Sequence, residues 1–160
     1  MDKVQRIDRI IQDLKALAPT GFAAAFIVEF AAPRYLFQTY DLEWKNHYSS
    51  TGMVMLDPAV RWGFVNDGIA DLDALVAMDE ADVFGQAREY GLIHWAVVAT
   101  SDGGKKSFGA FSRPDAPYEV DEQARILALL TEAHWLAIAA TEDDALATHL
   151  KDLSRQLTQQ

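Results

Sequence analysis

Apolar side chains recur along this chain at two spacings, and the spacing changes from one segment to the next. After Asp2, which has the residue type of an N-cap, they follow helical spacing until Pro19 and Gly21 end the pattern. The apolar positions are Val4, Ile7, Ile10, Ile11, Leu14 and Leu17. A second stripe with helical spacing comprises Leu146, Leu150, Leu153 and Leu157. The pattern therefore predicts an amphipathic helix near each end of the sequence.

Two pairs of strands are predicted between these helices. They cover residues 22–30, 35–39, 94–100 and 107–111. Pro33 breaks the first apolar run and separates it from its predicted partner. The second pair flanks Ser101-Asp102-Gly103-Gly104, a sequence typical of a hairpin turn.

Further helices are predicted in the middle of the chain. They begin at Asp41 and run to Tyr48, begin at Asp57-Pro58, cover residues 80–90 before Gly91, and run from a cap at Asp121 to about residue 140. The order is thus helix, two strands, helices, two strands, helices. This order favours an α+β domain in which helices cover an antiparallel sheet.

Composition is consistent with a single domain over residues 1–160 that can bury a sizeable core, since 50% of the residues are hydrophobic. The formal net charge is −10, and DNA is also negatively charged. We therefore do not expect this chain to bind DNA directly. There is no cysteine, no signal peptide and no apolar run long enough to span a bilayer, because Glu29 interrupts the longest one. A cytoplasmic location without membrane attachment is therefore expected.

Catalytic patterns are absent from the sequence. It has no glycine-rich phosphate loop, no Gly-x-Ser-x-Gly elbow and no His-Glu-x-x-His. The four histidines are scattered without the spacing of metal ligands. We therefore expect neither an enzyme nor a metal or other cofactor.

One aromatic segment has a pattern that is compatible with a ligand-binding site. Tyr40, Trp44 and Tyr48 lie four residues apart, so a helix would place them on one face, with Asp57 following. Aromatic side chains at this spacing usually fill a core. The other interpretation is a pocket, since an aromatic wall closed by a carboxylate suits an amphipathic small molecule.

The spacing Tyr40-x3-Trp44-x3-Tyr48-x8-Asp57-Pro58 resembles the signature of the autoinducer-binding domain of LuxR-type quorum-sensing regulators. The resemblance continues through Gly91-Leu92 and through residues 109–112, Gly-Ala-Phe-Ser. It covers most of the chain, from about residue 21 to residue 140.

The resemblance implies an α-β-α sandwich with a central antiparallel sheet, and a ligand that is an N-acyl homoserine lactone. It implies that Trp44 donates to the lactone carbonyl and that Asp57 accepts the ligand amide N–H. It also implies that Tyr40, helped by Ser112, binds the acyl carbonyl, and Tyr48 belongs to the same site. We expect apolar residues around the acyl chain, for which the pattern suggests Phe26, Leu36, Val54, Val60 and Val97.

The sequence departs from the family pattern at two walls of the expected pocket. Residues 68–72 lack the tryptophan that usually covers the lactone. Trp95 stands four residues after Gly91, where the family often has glycine. Trp95 is therefore expected to fill and narrow part of the pocket, to replace the missing tryptophan wall, or to belong to the core. In the first case Trp95→Gly would admit longer acyl chains.

The function expected from the resemblance is a non-enzymatic sensor that controls transcription through a DNA-binding domain. The 160 residues contain no segment of the helix-turn-helix type. Surplus apolar residues in the two last predicted helices suggest a homodimer, or a heterodimer with a full-length regulator. The alternatives are a stand-alone interaction module that dimerises with or inhibits such a regulator without ligand, and a sensor of the PAS or GAF type.

Overall fold

A computed structural model describes residues 1–30 and 32–158. Within these residues, helices cover a five-stranded sheet in which every neighbouring pair is antiparallel. This arrangement confirms the predicted α+β sandwich. The helices are α1 (Lys3–Leu17), α2 (Leu42–Ser50), α3 (Pro58–Val65), α4 (Leu72–Ala77), α5 (Val83–Glu89), α6 (Val120–Ala139) and α7 (Asp144–Thr158). The strands are β1 (Gly21–Glu29), β2 (Ala32–Gln38), β3 (Gly68–Ile69), β4 (His94–Asp102) and β5 (Lys105–Arg113).

The sheet joins two hairpins through its centre. Its strand order is β2-β1-β5-β4-β3, so β1 of the first hairpin pairs with β5 of the second. The predicted turn between β4 and β5 is confirmed, and it is tighter than expected. Only Gly103 and Gly104 form the connection, with φ of 62° and 73°. Glycine adopts such angles without a steric penalty, which allows this two-residue turn.

The main core lies on the face of the sheet that α1, α6 and α7 cover. Helix α1 begins at the predicted cap, where Asp2 Oδ1 accepts a hydrogen bond of 2.8 Å from the Gln5 N–H. Its apolar stripe belongs to the same core as Phe22 and Phe111, whose stacked rings have centroids 5.2 Å apart. The predicted stripe of α7 is also part of this core, through Leu146, Leu150 and Leu157.

The packing of α6 and α7 accounts for most of the apolar residues on which the expected self-association was based. Leu129 and Leu130 of α6 are buried within this chain, as are three of the four leucines of α7. Of the α6 residues that suggested an interface, Trp135 is the one classed as exposed, at 46%. The apolar surplus is therefore mostly used inside the domain, and self-association stays a prediction.

Several predicted boundaries were wrong for identifiable reasons. Pro33 lies within β2, which starts at Ala32, because β2 is an edge strand that tolerates a missing N–H donor. Helix α6 starts before Asp121, and the Glu122 carboxylate accepts a hydrogen bond from the Glu119 N–H. Asp41 precedes α2 without a side-chain capping bond.

Other differences concern the segment between the two hairpins. Helix α5 starts at Val83, three residues later than predicted. Helix α4 and strand β3 were not predicted, because six- and two-residue elements are too short to show a period.

A buried polar chain ties β1, β5 and α6 together on the core side. The Ile27 N–H donates to Ser107 Oγ at 3.1 Å, and Ser107 Oγ lies 2.6 Å from His134 Nδ1. On the other side of the ring, His134 Nε2 lies 3.2 Å from the Asp102 carbonyl oxygen. One consistent assignment has the Ser107 O–H donate to Nδ1 and the Nε2–H donate to Asp102, which requires a neutral imidazole.

We expect this chain to make folding stability depend on pH. Burial lowers the pKa of His134 below its usual value. The unfolded state then binds more protons near pH 6, so the free energy of unfolding should decrease as pH falls below about 6.5. Thermal melts between pH 8 and pH 5.5 should show a smaller loss for His134→Gln, since glutamine does not titrate. An equal loss in both proteins would contradict this role, because the other three histidines are unchanged.

Candidate ligand-binding site

A cavity of about 330 Å³ lies on the sheet face opposite the main core. Its floor consists of small side chains from the central strands, among them Ala23 and Ala25 of β1 and Ala110 of β5. Helices α2, α3 and α5 and the turn at residues 53–55 contribute to the wall, together with larger side chains of the strands. Alanine on the floor leaves space that larger strand residues would fill, so the cavity arises directly from the sequence of β1 and β5.

Five of the six predicted site residues line this cavity, namely Tyr40, Trp44, Tyr48, Asp57 and Trp95. Trp44 and Tyr48 lie one turn apart on α2, with ring centroids 5.7 Å apart, as the helical spacing predicted. Tyr40 is not on that helix. It precedes α2, and it reaches the cavity because the chain turns there after β2.

Trp44 is held by aromatic neighbours and not by a hydrogen bond. Its ring centroid lies 5.3 Å from that of Tyr90 and 5.9 Å from that of His47, whose Nε2 is 2.7 Å from Gln86 Oε1. No residue in the described part of the chain accepts a hydrogen bond from the Trp44 indole N–H. A donor thus remains available in the cavity wall.

Asp57 has two partners, one for each carboxylate oxygen. Oδ1 accepts the Ala59 N–H at 2.9 Å and caps α3, which Pro58 begins. Oδ2 accepts the Tyr48 O–H at 2.8 Å. Burial raises the pKa of Asp57, and the hydrogen bond from Tyr48 opposes that shift. The carboxylate therefore combines a capping role with an acceptor surface that faces the cavity.

The two tyrosines of the site are neutral donors at physiological pH. Burial raises the pKa of Tyr40 well above its usual value, and it raises the pKa of Tyr48 together with the charge of Asp57. The Tyr40 O–H donates to the Ala110 carbonyl oxygen at 3.2 Å. That distance is long for an O–H···O bond, so a ligand oxygen could replace this acceptor.

Trp95 lies on β4 and is 8% exposed. Its ring centroid is 6.2 Å from that of Tyr40 and 5.9 Å from that of Phe84. Its indole N–H is buried and has no hydrogen-bond partner within residues 1–30 and 32–158. Trp95 thus lines the cavity and also packs in a buried cluster with Tyr40 and Trp44, so its role toward a ligand stays a prediction.

Ser112 is the predicted site residue that the structure does not place in the cavity lining. It is fully buried, and its hydroxyl oxygen lies 2.9 Å from Thr20 Oγ1. Its ligand role stays a prediction that requires access to this buried hydroxyl.

The apolar lining agrees in part with the residues suggested for the acyl chain. Leu36, Val54 and Val60 line the cavity. Phe26 and Val97 do not, since Phe26 lies in the main core and Val97 packs with Leu75 in a smaller cluster. Of the first three, Leu36 reaches the cavity from β2, whereas Val54 and Val60 reach it from the turn before α3 and from α3 itself.

Sequence reasoning missed further residues of the wall, including Val83, Phe84 and Ala87 of α5 and the polar Gln38. Alternation along β2 could have found Gln38, because it is two residues from Leu36 and shares its face. The α5 residues carried no such signal, since their position depends on how α5 packs over the sheet.

No group of three or more His, Asp or Glu side chains suited to hold a metal ion occurs in residues 1–30 and 32–158. Within the same residues, no helix has both the length and the apolar character that crossing a membrane requires.

The family model of the autoinducer-binding domain matches residues 19–143, which include every residue of the site. The chain belongs to the autoinducer-binding domain family. Domains of this family sense signals in LuxR-type quorum-sensing regulators and are not enzymes. No curated protein matches the sequence.

Solved structures of SdiA share the fold of this autoinducer-binding domain. SdiA in complex with octanoyl-rac-glycerol has 18% identity and a TM-score of 0.64, covering 91% of this chain and 63% of that one. A crystal structure of Escherichia coli SdiA has 19% identity and a TM-score of 0.63, with coverages of 86% and 62%. The solution structure of E. coli SdiA1-171 has 17% identity and a TM-score of 0.60, with coverages of 94% and 89%. This chain therefore spans less than two thirds of the two longer SdiA chains.

Proposed function

We propose that this domain binds an N-acyl homoserine lactone, or a similar molecule with an acyl chain and a compact polar group. The observation that carries the proposal is that the cavity lining combines polar side chains at one end with apolar side chains at the other. Tyr40, Trp44, Tyr48 and Asp57 form what we call the polar end. The apolar end comprises Val28, Pro33, Leu36, Val54, Met55 and Phe64. Pro33 and Gln38, which precedes Tyr40 by two residues, both line the cavity and are five positions apart on β2, roughly 17 Å at the rise of a strand.

The polar end supplies the hydrogen bonds that an acyl amide and a lactone need. A secondary amide has one N–H donor and one carbonyl acceptor, and burying either unpaired costs about 1–3 kcal/mol. Asp57 provides the acceptor for the N–H, while Tyr40 and Trp44 provide donors for carbonyl oxygens. Donors and an acceptor therefore occur together around one end of the cavity.

The apolar end supplies the free energy for holding an acyl chain. Each buried methylene contributes about 0.8 kcal/mol, so chain length should change affinity strongly. The octanoylglycerol in the SdiA structure also has an acyl chain and a polar end, but it has no lactone ring. The proposal therefore includes acyl glycerols as a second ligand class.

Thermal melting with a panel of ligands tests the proposal. The panel contains N-acyl homoserine lactones with chains of 4 to 12 carbons and octanoylglycerol, and homoserine lactone without an acyl chain is the control. A binding ligand at a hundredfold excess over its dissociation constant should add about 2.7 kcal/mol to the free energy of unfolding. If no panel member shifts the melting temperature, the proposal fails. The interaction module that acts without ligand would then be favoured.

We further propose that the domain acts in the cytoplasm and controls transcription together with a DNA-binding domain. Self-association, or pairing with a full-length regulator, belongs to this proposal. The charge of −10 supports the expectation that the chain does not bind DNA directly.

A further inference from the structure

Trp95 and Tyr40 together cover the segment of the sheet that contains Ser112. Ser112 pairs with Trp95 on one side and with Gly21 on the other. The backbone of Tyr40 lies directly against Gly21, and the Tyr40 and Trp95 rings are 6.2 Å apart. The two rings therefore meet over this row of the sheet. This explains why the Ser112 hydroxyl bonds to Thr20 and does not line the cavity.

A second cavity of about 350 Å³ lies on the other side of Trp95. Trp95 and Phe84 line both cavities, so these two rings form a shared wall. The second cavity is more polar than the first, because Asp79, Arg88 and His94 contribute to its lining. Access from the first cavity to this polar space is therefore blocked by two aromatic rings.

The Trp95 indole is held in this wall by packing. Its N–H has no hydrogen-bond partner among the described residues, and its ring contacts are with Tyr40 and Phe84. Shortening this side chain therefore removes volume at the boundary of two cavities and breaks no hydrogen bond.

We propose that Trp95 is a specificity-determining residue that limits the size of the ligand's polar group. The inference rests on the proposed function, and it adds that the restriction acts at the polar end and not along the acyl chain. Trp95 lies beside Tyr40, whereas Val28, Pro33 and Leu36 of the apolar end lie farther along β1 and β2. We therefore expect Trp95 to affect which polar groups the domain accepts, and not, as the sequence suggested, which acyl chain lengths it accepts.

The test compares dissociation constants for three probes. N-octanoyl homoserine lactone is the reference. The N-octanoyl amide of 3-aminodihydrocoumarin keeps the chain and the amide, and its six-membered lactone with a fused benzene ring is a larger polar group than the five-membered lactone of the reference. N-dodecanoyl homoserine lactone keeps the polar group and lengthens the chain. Trp95→Ala should lower the dissociation constant of the fused-ring probe relative to the reference by about tenfold, and it should leave the dodecanoyl-to-octanoyl ratio unchanged.

Two further variants keep the test decisive. Trp135→Ala removes an indole that is 46% exposed on α6, outside the cavity lining, and should change neither ratio. Trp95→Leu retains an apolar side chain in β4 and replaces Trp95→Ala if that variant does not fold.

The outcomes separate the inference from the proposed function. The inference is overturned in two cases, provided that wild type binds the octanoyl lactone. In the first, the folded Trp95 variants have the same ratios of dissociation constants as wild type. In the second, the variants gain affinity only for the dodecanoyl lactone. If neither wild type nor variants bind any probe, the proposed function itself fails.

Discussion

Asp57→Asn should weaken binding of N-octanoyl homoserine lactone by roughly 10- to 150-fold, the equivalent of about 1.5–3 kcal/mol for a hydrogen bond to a charged group. Asparagine retains an oxygen that can cap α3 through the Ala59 N–H. It replaces the second oxygen, which accepts the Tyr48 O–H, with an NH2 group that donates and cannot accept. Because the Tyr48 O–H loses this acceptor, the free energy of unfolding without ligand should fall by about 1–3 kcal/mol, although the cap of α3 is kept. Titration calorimetry and thermal melts on the same preparation measure both quantities.

A second capping aspartate provides the matched control for this prediction. Asp71 caps α4 by accepting the Asp73 N–H at 3.0 Å, and it is not part of the cavity lining. Asp71→Asn should leave affinity unchanged. Asp57→Ala should lose affinity as well, and it should be about 1 kcal/mol less stable than Asp57→Asn, because it also removes the cap. Wild-type affinity in Asp57→Asn would show that Asp57 acts only as a helix cap.

Gly21→Ala should reduce the free energy of unfolding by about 2–5 kcal/mol, from backbone strain and from overpacking. Gly21 has φ of 118°, a conformation that side-chain-bearing residues rarely adopt. A Cβ atom there would lie 2.6 Å from Tyr40 Cδ1 and 2.8 Å from Tyr40 Cα. Because the Tyr40 backbone would have to move, any folded Gly21→Ala protein should also bind the octanoyl lactone more weakly. Chemical denaturation followed by ligand titration measures both effects.

Gly68→Ala separates the two causes of this loss. Gly68 also has a positive φ, of 93°, but nothing lies within 4 Å of a Cβ atom at that position. Gly68→Ala should therefore introduce backbone strain without a steric clash. Its free energy of unfolding should decrease less than that of Gly21→Ala. Equal losses in the two variants would mean that contact with Tyr40 contributes nothing.

The aromatic segment shows how far the sequence could predict the site. Helical spacing placed Trp44 and Tyr48 on one face of α2, and Asp57-Pro58 marked the start of α3. These relations are local, because a helix fixes the positions of residues three or four apart regardless of the rest of the fold. Tyr40 joined the same wall although it lies outside α2, which the spacing by itself did not indicate.

What the sequence by itself determined is the set of local elements and the chemistry of the polar end. The layered fold followed from the order of those elements, and the family followed from the spacing of Tyr40, Trp44, Tyr48 and Asp57. The tertiary structure alone decided which side chains face each other across the sheet. The pairing of Ser112 with Trp95 joins residues 17 positions apart in sequence, and its pairing with Gly21 joins residues 91 positions apart. No local period encodes such pairs, because strand register depends on packing of the whole sheet. The covering of Ser112 and the wall at Trp95 could therefore be seen only once the strands were assembled.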